Sequence, residues 1–103
     1  MKKLIGRQEP VKTREMSLEG EYEGWEFSAR TNPPISAFGD VASGDFDRIV
    51  TGLAKILRGW NFVDENGVEL PPPDATVIRE RPLDLLTAIA NKYVTELSTL
   101  SPN

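Results

Sequence analysis

The sequence contains no cysteine and no histidine among its 103 residues. Without cysteine the chain has no disulfides, no thiolate nucleophile and no cysteine-based zinc site. Without histidine it lacks the commonest general base and the commonest transition-metal ligand. These absences argue against most hydrolase mechanisms, and they leave carboxylate, tyrosine or lysine chemistry as the routes open to an enzyme.

Long hydrophobic runs are also missing, because no stretch approaches the roughly 18 apolar residues that a membrane span requires. Residues 1–6 begin as a signal peptide does, but the apolar segment that should follow is not there. We therefore expect an intracellular protein with no membrane partner. Basic residues are the minority, 12 against 16 acidic ones, and the net charge is −4. This balance argues against nucleic acid as a partner, since phosphates are bound by a basic face.

The length predicts a single domain that buries roughly two-thirds of the surface of the unfolded chain. We place this domain at residues 18–98, between a flexible basic leader or edge strand over residues 1–17 and a tail over residues 99–103. The leader is open to two interpretations, a phosphate-binding arm or a solvated segment. The second is favoured, because isolated basic tails usually lie in solvent. The basic residues of the leader are Lys2, Lys3, Arg7, Lys12 and Arg14.

Alternating apolar and polar residues predict extended structure over residues 18–30. Trp25 and Phe27 belong to the apolar face of the second half, and the phase of the alternation reverses at Gly24. A glycine at such a reversal marks a bulge or a turn, and we favour a hairpin or meander. The glutamates at positions 19, 21 and 23 indicate a solvated face rather than a cation site, because neighbouring carboxylates repel each other.

An amphipathic helix is predicted over residues 46–60. Either Ser43 or Asp45 is placed to cap its first turn. Residues 35–42, which precede it, suggest a short helical turn with Ile35 and Phe38 facing inward. The apolar residues of the long helix recur every three or four positions, as one helical stripe requires. They are Phe46, Ile49, Val50, Leu53, Ile56, Leu57 and Trp60.

Residues 62–70 predict a tight hairpin whose turn, residues 64–67, fits type I with a left-handed glycine at its end. A calcium loop does not fit, because Phe62 and Pro73 would occupy positions where that motif needs carboxylates. The prolines that follow form a stiff spacer. A last amphipathic helix starts at Pro82, which suits a first helical position.

Together these elements predict an α+β fold, in which a small N-terminal antiparallel β-hairpin or sheet packs on two main amphipathic α-helices. A short hairpin turn joins the two helices. The arrangement closest to an enzyme site is Asp40, Asp45 and Asp47 around a hard cation. The last two, however, lie at a helix N-terminus, where carboxylates serve as caps. We therefore expect no catalytic residue, no cofactor and no bound metal.

Five segments of the chain resemble small proteins encoded in the tail modules of long-tailed bacteriophages and prophages, which are described as tail assembly chaperones. The resemblance extends over residues 22–97, and the ordered pair formed by the last two segments is the most distinctive part. The segments are 23–26 (EGWE), 32–34 (NPP), 43–45 (SGD), 60–67 (WNFVDENG) and 81–86 (RPLDLL).

The resemblance implies a non-enzymatic role in the host cytoplasm during tail morphogenesis. Such proteins are thought to coat the long, helical, poorly soluble tape-measure protein before tail-tube subunits polymerise around it. Many are also made in a longer form by ribosomal frameshifting. The alternative is a structural virion component, a tail or head–tail protein that is retained in the particle. Self-association is compatible with either role, and an acidic net charge would keep a complex with a client soluble.

We expect a partner protein to be bound by aromatic and aliphatic residues close to the turn and the helix ends. These residues are Trp60, Phe62, Tyr93 and Val94. Helices with wide apolar stripes can offer an edge to an amphipathic client helix. The competing interpretation places these side chains in the protein's own core, because a chain of this size needs nearly all its apolar residues inside.

Overall fold

A computed structural model describes residues 3–100 of the protein. Within these residues the chain forms a three-stranded antiparallel sheet, four α-helices and one short 3-10 turn, which confirms the predicted α+β class. Residues 1, 2 and 101–103 of the predicted leader and tail lie outside the described part. The elements are β1 (Thr13–Ser17), the 3-10 turn (Gly20–Tyr22), β2 (Glu26–Arg30), α1 (Ile35–Val41), α2 (Phe46–Ile56), β3 (Leu57–Trp60), α3 (Ala75–Arg79) and α4 (Leu83–Leu100).

The first two strands form a hairpin in which Met16 of β1 lies opposite Phe27 of β2. β1 falls within the predicted leader and is an edge strand of the sheet. The connecting loop, residues 18–25, contains the 3-10 turn and two glycines with positive φ, Gly20 and Gly24. The prediction of extended backbone is therefore wrong for these residues and right for β2. The positive φ values of the two glycines interrupt the extended backbone, and Leu18 is buried in the core from this loop instead of from a strand.

The helix predicted over residues 46–60 is shorter, and its last four residues form β3 instead. Leu57 and Trp60 lie three residues apart, which is the spacing of a helical stripe. In the structure they lie opposite Ala29 and Phe27, two residues apart on β2, because a bulge separates them. A bulged strand thus imitates helical spacing. These four residues form a strand instead of a further helical turn because the strand hydrogen-bonds to the backbone N–H and C=O groups on the second edge of β2.

α1 and α2 pack against each other so closely that no side chain fits at Gly52 of α2. A Cβ built there would lie 2.8 Å from the carbonyl oxygen of Ala37 and 2.8 Å from Cγ2 of Val41. The glycine therefore permits a close approach of the two helices. Of the two cap candidates, Asp45 caps α2, and its side chain accepts the N–H of Arg48 at 3.2 Å.

The inward-facing position predicted for Ile35 is wrong, since this side chain is 90% exposed. Ile35 is the first residue of α1, and the buried residues of that helix are Ala37 and Val41. The two buried residues are four positions apart and share one face, whereas Ile35 falls on the other side of the helix. Phe38 is partly buried against the core, as predicted.

The hairpin over residues 62–70 is confirmed. The N–H of Gly67 donates to the carbonyl oxygen of Asp64 at 2.9 Å, and Gly67 has a φ of 80°. The N–H of Leu70 donates to the carbonyl of Phe62 at 3.0 Å, which closes the base of the hairpin. A further short helix, α3, follows the proline spacer, and the side chain of Asp74 caps it by accepting the N–H of Val77.

The hydrophobic core lies between one face of the sheet and the helices. Tyr93 of α4 is fully buried in it, and its hydroxyl donates to the carbonyl oxygen of Arg30 at 2.6 Å. This bond ties the last helix to the end of β2. None of the helices in the described part of the chain combines the length and apolar character needed to cross a membrane. The largest fully buried side chains are Tyr93, Phe27, Phe62, Leu53, Ile56, Ile78, Leu85 and Ile89.

Candidate protein-binding surfaces

Two of the predicted partner-binding residues, Trp60 and Phe62, belong to an aromatic cluster. Phe62 is 2% exposed and packs between Trp60, at a ring-centroid distance of 4.7 Å, and Trp25, at 4.9 Å. The indole N–H of Trp60 donates to the carbonyl oxygen of Pro71 at 2.9 Å. Phe62 is therefore a core residue, and Trp60 is a half-buried side chain that holds the proline spacer.

The other two predicted residues, Tyr93 and Val94, are neighbours in sequence with different surroundings. Burial raises the pKa of the Tyr93 hydroxyl above its ordinary value, although the charge of Arg30 opposes this shift. Tyr93 is thus a neutral hydrogen-bond donor inside the core and presents no surface to a partner. Val94 is partly exposed and lies in a groove between helices.

This helix groove runs between α4 and the segment that joins α1 to α2. Its volume is about 290 Å³, and none of the described residues that line it carries a charge. Phe46, the first residue of α2, is 41% exposed at this groove. The groove is therefore an uncharged, mainly apolar depression with a large aromatic side chain at its edge, and Thr87 and Asn91 are its polar side chains. Its main side chains are Val41, Phe46, Ile49, Thr87, Ala90 and Val94.

A second groove lies at the opposite side of α4, between the 62–70 hairpin and the start of that helix. We call it the acidic groove; its volume is about 510 Å³. Trp25, Val63 and Leu85 provide apolar surface. Asp64, Glu65 and Glu80 also line it, together with one cation, Arg81, so carboxylates outnumber basic groups. Neither Glu65 nor Glu80 forms an ion pair with another described residue.

Further carboxylates surround the loop of residues 18–25. Partial burial, a hydrogen bond to Asp84 and the negative charges of Asp84 and Glu21 together raise the pKa of Tyr22 to about 12. The loop, the hairpin and the start of α4 therefore form one acidic end of the molecule, which we call the turn end. Its carboxylates are Glu19, Glu21, Glu23, Asp64, Glu65, Glu69, Glu80 and Asp84.

Residues 3–12, which we call the arm, are mainly basic and apolar, in contrast to the acidic turn end. Leu4 and Ile5 are 87% and 78% exposed. The side chain of Asn32 fixes the base of the arm, because its Oδ1 accepts the N–H of Lys12 at 3.0 Å and its Nδ2 donates to the carbonyl of Pro10 at 2.8 Å. The described residues extend over 62 × 29 × 24 Å with a radius of gyration of 15.4 Å. A compact chain of this length has about 13 Å, so the arm projects from the body.

The aspartates considered for an enzyme site each have a structural partner. The Arg48 guanidinium donates to Asp40 at 3.1 Å, and Arg79 donates to Asp47 at 2.6 Å. Asp45 caps α2. Over residues 3–100, no group of three or more carboxylates is arranged to hold a metal ion. These three aspartates therefore take part in structural contacts.

Sequence reasoning identified Val94 but not the rest of the helix groove, and it did not identify the acidic groove. A signal for the first was the aromatic residue at the start of α2, where a capped helix end faces solvent. A signal for the second was the concentration of glutamates on either side of Trp25. No known protein family matches this chain, and neither a curated protein nor a solved structure matches it.

Proposed function

We propose that the protein is a tail assembly chaperone-like protein of a bacteriophage or prophage, and that it binds the tape-measure protein in the host cytoplasm without catalysing a reaction. Two observations support this proposal. One is the resemblance of the five sequence segments over residues 22–97. The other, which carries the proposal, is the uncharged helix groove with Phe46 at its edge.

The chemistry of the helix groove suits an amphipathic helix. Such a helix binds by inserting apolar anchors three or four residues apart into a groove of this kind. A tape-measure protein is long, helical and poorly soluble, so it offers many segments of that description. At about 290 Å³ the groove is at the lower end of the range of small-molecule sites, which is roughly 300–1,000 Å³. It also lacks the charged groups that usually fix the orientation of a small ligand.

The net charge of −4 supports the same role. A chaperone that covers apolar helices must keep the complex in solution, and like charges on many bound copies repel other complexes. Half of the acidic side chains lie at the turn end, and no carboxylate is among the described residues that line the helix groove. Asp45 and Asp47 flank Phe46, but they are held by the α2 cap and by Arg79. A client helix would therefore meet an apolar surface without having to displace carboxylates.

A structural virion component is the second candidate, and the projecting arm is the observation that favours it. Exposed neighbouring aliphatic residues such as Leu4 and Ile5 are typical of protein contact sites. A subunit that stays in the particle needs such contacts. The composition of purified particles separates the two candidates, because a chaperone leaves before assembly is complete and a virion component remains.

The proposal is tested by co-expression with the tape-measure protein encoded by the same phage or prophage. We expect the two proteins to co-purify and the tape-measure protein to become more soluble. The Phe46→Glu variant should lose this property. Phe46 exposes 41% of a side-chain surface of roughly 200 Å², so about 80 Å² becomes buried on binding. At about 25 cal/mol per Å² this is about 2 kcal/mol, or about 30-fold in affinity.

Ile35→Glu is the matched control. Ile35 is the first residue of α1 as Phe46 is of α2, and a carboxylate at either position is favoured by the helix dipole. Both side chains are exposed, but Ile35 does not line the helix groove. The control variant should co-purify as the wild type does. Equal binding by all three proteins, or no co-purification of the wild type, would contradict the proposal.

A further inference from the structure

We propose that copies of this protein associate head to tail, with the arm of one copy bound in the acidic groove of the next copy. The inference concerns a different surface from the helix groove, and it does not depend on the client proposed above. It is carried by the position, the apolar character and the charge of two features that the fold places at opposite ends of the molecule.

The positions follow from the β1–β2 hairpin. At one end of the hairpin the N–H of Thr31 donates to the carbonyl of Lys12, at the base of the arm. At the other end the N–H of Leu18 donates to the carbonyl of Trp25, which lines the acidic groove. The five residues of β1 lie between the two bonds, which places the bonds roughly 20 Å apart. The arm and the groove are therefore the two ends of a subunit that can repeat.

The apolar surfaces match. Leu4 and Ile5 are adjacent, almost fully exposed, and project away from the body. The acidic groove offers Trp25, Val63 and Leu85 as apolar surface in a space of about 510 Å³. Burying two aliphatic side chains is a substantial driving force for association. The next copy offers these residues a place that is both apolar and large.

The charges match as well. Lys3 and Arg7 lie on either side of the two aliphatic residues. Three carboxylates and one cation, Arg81, line the groove, and two of the carboxylates, Glu65 and Glu80, have no ion-pair partner among the described residues. A basic segment that enters an acidic groove is steered by the field and held in register by opposite charges. Association should therefore weaken as salt rises, because the exposed charges are screened.

The contact has a consequence for the assembly. Each copy contributes its arm to one neighbour and its groove to another, so the interface is heterologous. Such contacts close into rings when the rotation between copies permits it and otherwise extend as filaments. A two-fold dimer that buries the same patch on both copies is not expected.

Sedimentation velocity of the full chain over a range of concentrations tests the proposal. We expect species larger than a monomer that grow with concentration, and association at least tenfold weaker in about 1 M salt, where the Debye length is roughly 3 Å. The double variant Leu4→Asp, Ile5→Asp should associate at least about 100-fold more weakly, since two aliphatic side chains lose their burial. Ile35→Asp, at an exposed position outside the arm, should associate as the wild type does.

A charge exchange tests the register. Arg7→Glu and Glu65→Lys should each weaken association about tenfold, and the chain that carries both should recover most of the loss because every copy presents both new charges. The proposal is overturned by a wild type that stays monomeric at all concentrations, including a monomer whose arm folds back into its own groove. It is equally overturned by a two-fold dimer that is insensitive to the arm variants. The same holds if the chain with both Arg7→Glu and Glu65→Lys associates no more strongly than the single variants.

Discussion

Gly52→Ala tests the close packing of α1 on α2, which shapes the wall of the helix groove. The added Cβ would lie 2.8 Å from the carbonyl oxygen of Ala37, 2.8 Å from Cγ2 of Val41 and 3.0 Å from Cβ of Asp40. The first of these atoms belongs to the backbone of α1, so a side-chain rotation cannot relieve the contact. The two helices must separate, or α1 must shift along α2.

The magnitude is the difference between two opposing effects. Alanine is favoured over glycine within a helix by about 1 kcal/mol. Overpacking a buried contact costs about 1–3 kcal/mol, and the upper part of that range applies because the obstacle is backbone. We therefore expect a net loss of about 1–2 kcal/mol in the free energy of unfolding. For a domain of this size each kcal/mol corresponds to a fall in Tm of about 4–8 °C.

Gly39→Ala is the matched control, because Gly39 lies within α1 and a Cβ there meets nothing within 4 Å. The same substitution should raise the free energy of unfolding by up to about 1 kcal/mol through helix propensity alone. Urea and thermal denaturation of the two variants beside the wild type measure both effects. The reasoning is refuted if Gly52→Ala is as stable as the wild type, or if the two variants change stability in the same direction.

Two further predictions concern stability. The ordinary tyrosine pKa is 10.0, and the pKa values of Tyr22 and Tyr93 are raised on folding. The unfolded chain therefore releases these protons first, so stability should be complete below pH 10 and fall towards pH 12. In urea titrations at a series of pH values, the Tyr93→Phe variant should lose less free energy of unfolding than the wild type between pH 10 and pH 12. At neutral pH the variant should be about 1–3 kcal/mol less stable, because the Arg30 carbonyl loses its buried donor. Asn61→Ala removes an acceptor 2.7 Å from the Glu26 N–H and should cost about 1 kcal/mol in the same assay; a stability equal to that of the wild type would show that water replaces this bond.

Much of the fold is predictable because its signals are local. The hairpin over residues 62–70 is encoded in the turn itself, where Asp64 and Gly67 have the side chain and the φ that the turn type needs. The last amphipathic helix is also a local signal, and so is the cap of α2, which the sequence assigns to either Ser43 or Asp45, since a helix buries and caps itself with residues a few positions apart. These elements are found in the structure as the sequence indicates.

The boundary between α2 and β3 could not be predicted in the same way. Leu57 and Trp60 satisfy a helical stripe and a bulged strand equally well, and the choice depends on β2, which lies about 30 residues earlier in the chain. Burial is equally non-local. Phe62 and Tyr93 are aromatic residues of the kind found at protein–protein contacts, but the packing of the whole chain buries them in the core.

The charge distribution also depends on residues that are far apart in sequence, so local patterns do not predict it. The net charge of −4 describes the protein as uniformly acidic, whereas the fold separates an acidic turn end from a basic arm. The loop of residues 18–25, the hairpin and the start of α4 are far apart in sequence and meet only in the folded chain. The interpretation of each glutamate as an isolated solvated residue therefore misses the field that they produce together.

Chemical-shift mapping tests most directly whether the helix groove is where this protein acts. The isotope-labelled protein is titrated with an amphipathic helical peptide taken from the tape-measure protein. The account predicts that the largest amide shifts lie around Gly44, Phe46, Ala90 and Val94, and that Phe46→Glu abolishes them. Saturable shifts confined to the acidic groove, around Val63 and Leu85, or no saturable shifts at all, would contradict it.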